Sequence, residues 1–187
     1  MMASAFSHAV VALAVGKAVT GIEMPARFWW LSIACSILPD ADVLGFAFGV
    51  RYGDLLGHRG LTHSLAFALV LSVVVVQVWF SETLRGSRRW WFLTAHFFLV
   101  TASHGFLDAM TDGGLGIAFF APFDETRYFL PWRPVMVSPI GIVEFFTPYG
   151  ARVLLNEMIW IWVPAALLVV AAIASRQTAL RPPRLPL

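Results

Sequence analysis

Residues 65–76 carry no polar side chain except Ser72, and this run constrains the fold more than any other feature. A helix without a polar stripe has no face to offer water, so it sits in a core or in lipid. The chain around it has the same character. It is 59% hydrophobic and 13% charged, about half the usual charged fraction, with a mean hydropathy of +0.76. A soluble domain of 187 residues has too much surface to cover with so few charges. The solvent is therefore lipid, and eight tryptophans suit anchoring at its interfaces.

Five helical segments are predicted, over residues 4–19, 28–38, 62–80, 90–109 and 153–174. Small residues in the first (Ala9, Ala12, Ala14, Gly16, Ala18) favour close packing. The second ends at Pro39 and is too short to span alone. Thr62 is read as the cap of the third, and Pro164 as a kink in the fifth. Residues 111–152 hold Gly113-Gly114 and Pro131-Trp132-Arg133-Pro134, which cannot be continuous helix. The predicted fold is all-α: a polytopic transmembrane helical bundle of about 4–5 membrane helices, with a structured aromatic and Pro-rich outer loop. Residues 1–176 form one integral-membrane domain, and 177–187 a disordered Pro/Arg tail.

No basic region precedes the first apolar stretch, so that stretch reads as a retained helix, not a cleaved signal. Lys17, Arg27, Arg85, Arg88, Arg89, Arg176, Arg181 and Arg184 fall on one side of an alternating topology, with only Glu23 and Glu82 as acids. The other side carries five basic and nine acidic residues. The positive-inside rule makes the first side cytoplasmic. His8, Asp40, Asp42, His58, His63, His104 and Asp108 then share the non-cytoplasmic level.

Those residues come in clusters: Pro39-Asp40-Ala41-Asp42, Gly57-His58-Arg59-Gly60-Leu61-Thr62-His63-Ser64, and His104-Gly105-Phe106-Leu107-Asp108. His104 and Asp108 are i, i+4, hence on one helical face, where they could grip a divalent ion or simply hydrogen-bond to each other. Asp40 and Asp42 could present alternate carboxylates to one cation or form a solvated turn. His58 and His63 are too far apart around one helix to share a site unless His58 lies in the loop. Arg59 suits an anionic substrate group or a lipid head group. His8 could be a ligand or a capping residue. Asp112 extends the His104/Asp108 face as a supporting group. His96, about 80° off that face, reads as a core polar residue. Cys35 is the only cysteine, which removes disulfides and CxxC metal sites. There is no HExxH, GxSxG, P-loop or glycine-rich dinucleotide turn, and scattered arginines give no nucleic-acid footprint. Metal-assisted hydrolysis is the economical reading, with a metal acidifying water, an aspartate handling its proton and Arg59 holding an anion. An ion transporter and a membrane scaffold with a structural metal are the alternatives.

At these motifs the chain resembles the YdjM/YbcI-type family of bacterial inner-membrane proteins, described as membrane-bound metal-dependent hydrolases. The likeness runs through His8, Leu38-Pro39-Asp40-Ala41-Asp42, His58-Arg59-Gly60-Leu61-Thr62-His63-Ser64, His104-Gly105-Phe106-Leu107-Asp108-Ala109-Met110-Thr111-Asp112-Gly113, Ala121-Pro122-Phe123 and Arg127. That family is similar in turn to zinc-dependent phospholipase C. The resemblance implies metal ligands among His8, Asp40, His58, His63, His104 and Asp108, and catalytic roles for Asp42, Arg59 and Asp112. It implies zinc, with manganese and magnesium open, an inner-membrane location, and a phosphoester substrate, with membrane lipid as one form of it. No histidine follows Asp112, so one or two ions are expected in place of three.

Overall fold

Serines set the start of three helices. In the computed structural model, which describes residues 2–179, Ser4 opens α1 (Ala5–Val19) by accepting from the Ser7 N–H. Ser64 opens α3 (Leu65–Trp79) through the Phe67 N–H, and Ser87 opens α4 (Arg88–Ala109) through the Trp90 N–H. Each hydroxyl satisfies an amide that a helix start leaves free. α2 (Ala26–Ile37) begins after Pro25. α5 (Ile142–Phe145) and α6 (Pro148–Glu157) follow, and α6 passes through a π turn (Met158–Trp162) into α7 (Val163–Ala179). Among the described residues the extended pairings are isolated bridges: Met2 with Ser138, Thr111 with Val135, Ile117 with Tyr128. The chain is all-helical, as expected.

Four boundaries differ from the sequence reading. Pro39 does not end the second segment. The helix tightens at Leu38 and continues as a 3-10 helix, Leu38–Phe48. Near the start of that new turn geometry the missing proline N–H has no intrahelical partner to lose. Ser64, not Thr62, caps α3, because the Thr62 hydroxyl is spent on Asp42. The last helical stretch starts at Pro148, not Val153, and its π turn lies just before Pro164, whose ring would clash with a carbonyl one turn back. At its other end α7 continues to Ala179, beyond the expected helix end at 174 and into the tail expected from 177. The Pro/Arg tail from residue 180 lies outside the described residues.

α3 packs on α4, α1 on α2 and α7, and α4 also on α2 and α1. One core (Ala12, Phe28, Cys35, Val75, Val76, Phe80, Leu93, Phe97, Val100) fills the middle of α1–α4. Polarity is arranged inside out. Ser7, His8, Ser32, Ser72, His96, Thr101 and His104 are buried, while Leu69, Val70 and Val78 of α3 and Leu167 and Val170 of α7 are exposed. That is the pattern of a bundle solvated by lipid. The helical stretches Ala26–Phe48 and Pro148–Ala179 are long and apolar enough to cross a membrane. α1 and α3, with 15 residues each, are shorter than a hydrocarbon core of about 30 Å.

The helices alternate between two ends. At one, Arg176 donates to the carbonyls of Lys17, Ala18 and Thr20, and Arg27 pairs with Glu82. At the other, the start of α1 meets the end of α6. The fully buried Glu157 accepts from the Ser4 N–H (2.6 Å), the Ser4 hydroxyl and the Ser7 hydroxyl (2.7 Å). Its charge sits at a helix N-terminus, where the backbone dipole favours it. Glu157→Leu should strand three donors, at about 1–3 kcal/mol for each unsatisfied group. Thermal unfolding in detergent will read this as a lower midpoint; an unchanged midpoint would show that the clamp is dispensable.

Candidate metal centre

The tightened helix after Ile37 decides how the first acidic pair is used. A 3-10 helix turns about 120° per residue, so positions two apart do not share a face. Asp40 and Asp42 therefore do not meet one cation together. They flank opposite edges of the same imidazole, that of His63: Asp40 Oδ1 is 3.6 Å from Nε2, and Asp42 Oδ2 is 3.2 Å from Nδ1. His63 itself sits in a short 3-10 turn (Leu61–His63) ahead of α3. Gly60 and Gly105 allow this crowding. A Cβ on Gly60 would fall 2.2 Å from the Leu55 carbonyl oxygen, and one on Gly105 would fall 2.9 Å from that of His63.

α4 delivers His104 and Asp108 from the opposite wall, on one face as their spacing dictates. His104 Nε2 lies 3.1 Å from His63 Nε2, 3.2 Å from Asp40 Oδ1 and 3.9 Å from Asp108 Oδ2; His63 Nε2 is 3.7 Å from Asp108 Oδ2. Asp40, His63, His104 and Asp108 thus form one group that could hold a metal ion.

Hydrogen bonding assigns the ring protons. His104 Nδ1 is 2.6 Å from the Ser36 carbonyl, which only accepts, so Nδ1 carries the proton. His63 Nδ1 faces Asp42 and the Thr62 oxygen (3.0 Å), whose own proton goes to Asp42. In neutral rings both Nε2 lone pairs then point at each other across 3.1 Å. Two carboxylate oxygens without a hydrogen-bond partner, Asp40 Oδ1 and Asp108 Oδ2, face the same spot. Lone pairs crowded this way call for positive charge between them, which a shared proton or a metal cation would supply. For donors about 2.0–2.2 Å from a tetrahedral ion, neighbouring donors stand roughly 3.3–3.6 Å apart; the spacings that involve a histidine run from 3.1 to 3.9 Å and bracket that, and all four donors lie within 4.8 Å of one another. The donor set fits a divalent metal.

A second layer holds these donors. Asp42 is saturated: Oδ1 meets His58 Nδ1 at 2.8 Å, and Oδ2 accepts from Thr62 (2.7 Å) and the Arg59 N–H (3.3 Å) besides facing His63. Asp42, His58 and His63 also group closely enough for a metal. With both Asp42 oxygens already engaged, however, this carboxylate is better placed to orient two imidazoles, as outer carboxylates do around metals. The other His58 nitrogen, Nε2, is buried without a partner. Asp108 Oδ1 accepts from the Ala3 N–H at 2.7 Å. His8 stacks on His104, centroids 3.8 Å apart, with Nε2 3.5 Å from Asp108 Oδ1. Both of its nitrogens lack hydrogen-bond partners.

Arg59 turns inward. It is the one non-glycine among the described residues with a positive φ, 66°. Its fully buried guanidinium donates to the Gly113 carbonyl and to Thr111 Oγ1 (2.8 Å each), with Nε 3.4 Å from Asp108 Oδ2. Asp112 is exposed and accepts from the Val137 N–H, tying the loop to residues 135–137 away from the donors. His96 meets Ser32 (2.8 Å) and stacks on Phe28 within the apolar core. Arg127, outside the helices, ties down the loop through the carbonyls of His58 (3.0 Å) and Asp54 (3.2 Å); burial lowers its pKa. Burial likewise pushes up the Tyr52 phenol, which stands edge-on to His58. Sequence reasoning did not find the Ser36 carbonyl, the Ala3 N–H, Thr62, Thr111 or Glu157. Backbone groups leave no mark in a sequence. Glu157 did leave one, an acid at the edge of an apolar run.

The fold and this centre define a class: all-helical membrane proteins with a buried His/Asp cluster that could hold a metal ion. The chain belongs to the family described as YdjM inner membrane protein, which matches residues 2–179. It is similar to "Inner membrane protein YbcI" of Escherichia coli (strain K12), 40% identical over 171 residues that cover 90% of this chain and 95% of the relative. No solved structure matches. These names place the protein in the inner membrane and specify no reaction.

Proposed function

We propose that this protein is a membrane-bound metal-dependent hydrolase acting on a phosphoester. One observation carries the reading: the facing Nε2 atoms of His63 and His104, 3.1 Å apart, with two unpartnered carboxylate oxygens converging on them. His63, His104, Asp40 and Asp108 would hold one divalent ion, and two imidazoles with two carboxylates suit zinc. A bound ion there supplies Lewis acidity and lowers the pKa of water toward neutrality. Asp40 is the partly exposed member of the four, with 11% side-chain exposure against none for the others. It would take a proton from a water whose oxygen bonds to phosphorus as the phosphorus–oxygen bond to the alcohol breaks, and that proton would leave on the departing alcohol. Asp42 keeps His63 in its tautomer, with His58 behind it. Arg59 serves as a positioning residue that neutralises Asp108, and Asp112 holds the loop.

Hydrolysis of bis-p-nitrophenyl phosphate and of phosphatidyl substrates by detergent-purified protein should vanish with chelator and return with zinc. Metal-loaded protein that cleaves neither would overturn the reading.

Four converging donors also favour a second reading, a closed structural metal. Cobalt-substituted protein separates the two: phosphate will perturb its visible spectrum only if a coordination position is open.

All five helical stretches, α1, α2 with its 3-10 continuation, α3, α4 and α6–α7, are assigned as membrane helices. The end carrying Arg27 and Arg176 is cytoplasmic and the metal centre non-cytoplasmic. A reporter fused to the C-terminus should therefore be active only inside the cell; activity outside would reverse the orientation.

A further inference from the structure

A cleft of about 320 Å³ opens beside the metal centre, between residues 2–6, the end of α2 with its 3-10 continuation, and residues 138–146. Its walls are apolar, with Ile37, Val43, Ile140, Phe145 and Phe146 among them, and Asp40 is the one ionisable side chain lining it. Asp40 is also the one of the four donors that is not fully buried. Asp40, whose donor oxygen is itself buried, is therefore the point at which this cleft meets the centre. The two hydroxyls on its wall are already committed: Ser4 donates to Glu157, and Ser138 to the Pro139 carbonyl. A sugar or nucleotide bound here would find only the Asp40 carboxylate and the accepting side of the Ser138 hydroxyl, too few partners to replace its hydration. An alkyl chain would lose nothing. The volume is at the low end of small-molecule sites, about 300–1,000 Å³, which suits one chain, not two. Phe6 and Phe146 are exposed at 54% and 77%, as aromatic side chains at a lipid-facing mouth would be.

We propose that this cleft takes a single acyl or alkyl chain of a membrane amphiphile and presents its phosphate head group to the metal centre past Asp40. The proposal rests on the function proposed above and names its substrate class.

The test uses full-length protein in detergent with zinc, and a hexadecyl phosphate bearing a photoreactive diazirine on its chain. Crosslinks should concentrate on residues 37–43 and 138–146, and the same chain without phosphate should not concentrate there. Val43→Trp should reduce cleft labelling by roughly tenfold, the loss expected if about two methylenes are displaced, with metal content unchanged. Phe146→Ala, at an exposed position, is a second variant that does not threaten folding, and it should shift the crosslinks at the mouth. Labelling confined to the outer faces of α3 and α7, or unchanged by both variants, would overturn the proposal. Metal content read on the same samples keeps the two readings apart. A labelled cleft in protein without metal would support the chain site and defeat the hydrolase. Metal-loaded protein with an unlabelled cleft would overturn the chain site alone.

Discussion

Protein carrying His104→Ala should emerge from purification without metal, where wild type purified without chelator carries it. His104 supplies the donor closest to two of its neighbours, 3.1 Å from His63 Nε2 and 3.2 Å from Asp40 Oδ1, and its other nitrogen is locked to Ser36. No water that fills the gap would be held with that orientation. A graded companion is Asp42→Asn. It leaves all four donors in place and weakens only the support of His63 and His58, so metal affinity should fall by roughly 10–100-fold. His96→Ala removes another buried imidazole from the same helix, outside the centre, and should keep the metal. Elemental analysis with zinc titration reads all three. Wild type free of metal, or His104→Ala with full metal, would end the metal reading.

The largest stability effect is expected at Arg59. Both partners of its ion pair with Asp108 are fully buried, and the same guanidinium joins α4's end to the 111–113 loop through Thr111 and Gly113. Truncation leaves Asp108 as an uncompensated buried charge, a change that costs about 3–5 kcal/mol in comparable pairs. Arg59→Lys should recover little, since one ammonium cannot reproduce the forked geometry. The deficit should be greater in chelator than in zinc, because a bound cation both balances Asp108 and stabilises the folded state by mass action. Thermal unfolding in detergent, with and without zinc, measures this. A midpoint equal to wild type in chelator would show that the buried pair contributes nothing.

Much of this was legible before any coordinates. The i, i+4 spacing of His104 and Asp108 put both on one face of α4, and the alternation of five helical segments put three distant motifs at one end of the bundle. The boundaries that failed did so for local reasons. Pro39 reads as a stop because proline ends α-helices, but a 3-10 turn continues past it. Thr62 reads as a cap because it precedes the apolar run, but Asp42 recruited its hydroxyl and Ser64 took the cap. Arg59 reads as a partner for an anionic substrate group or a lipid head group, and a left-handed backbone turns it into the core.

By itself the sequence determined an apolar helical chain in a membrane, with its polar side chains gathered at one level. Period, composition and charge asymmetry are properties of the chain, and lipid has only one way to accommodate them. Only the tertiary structure decided which polar groups meet which. It set Asp40 and Asp42 on opposite edges of one imidazole, gave His104 its tautomer through a backbone carbonyl, and brought the Ala3 N–H to Asp108 and the neighbouring Ser4 to Glu157. Those pairings depend on backbone atoms and on a change of helical pitch after Ile37. No side-chain pattern encodes either.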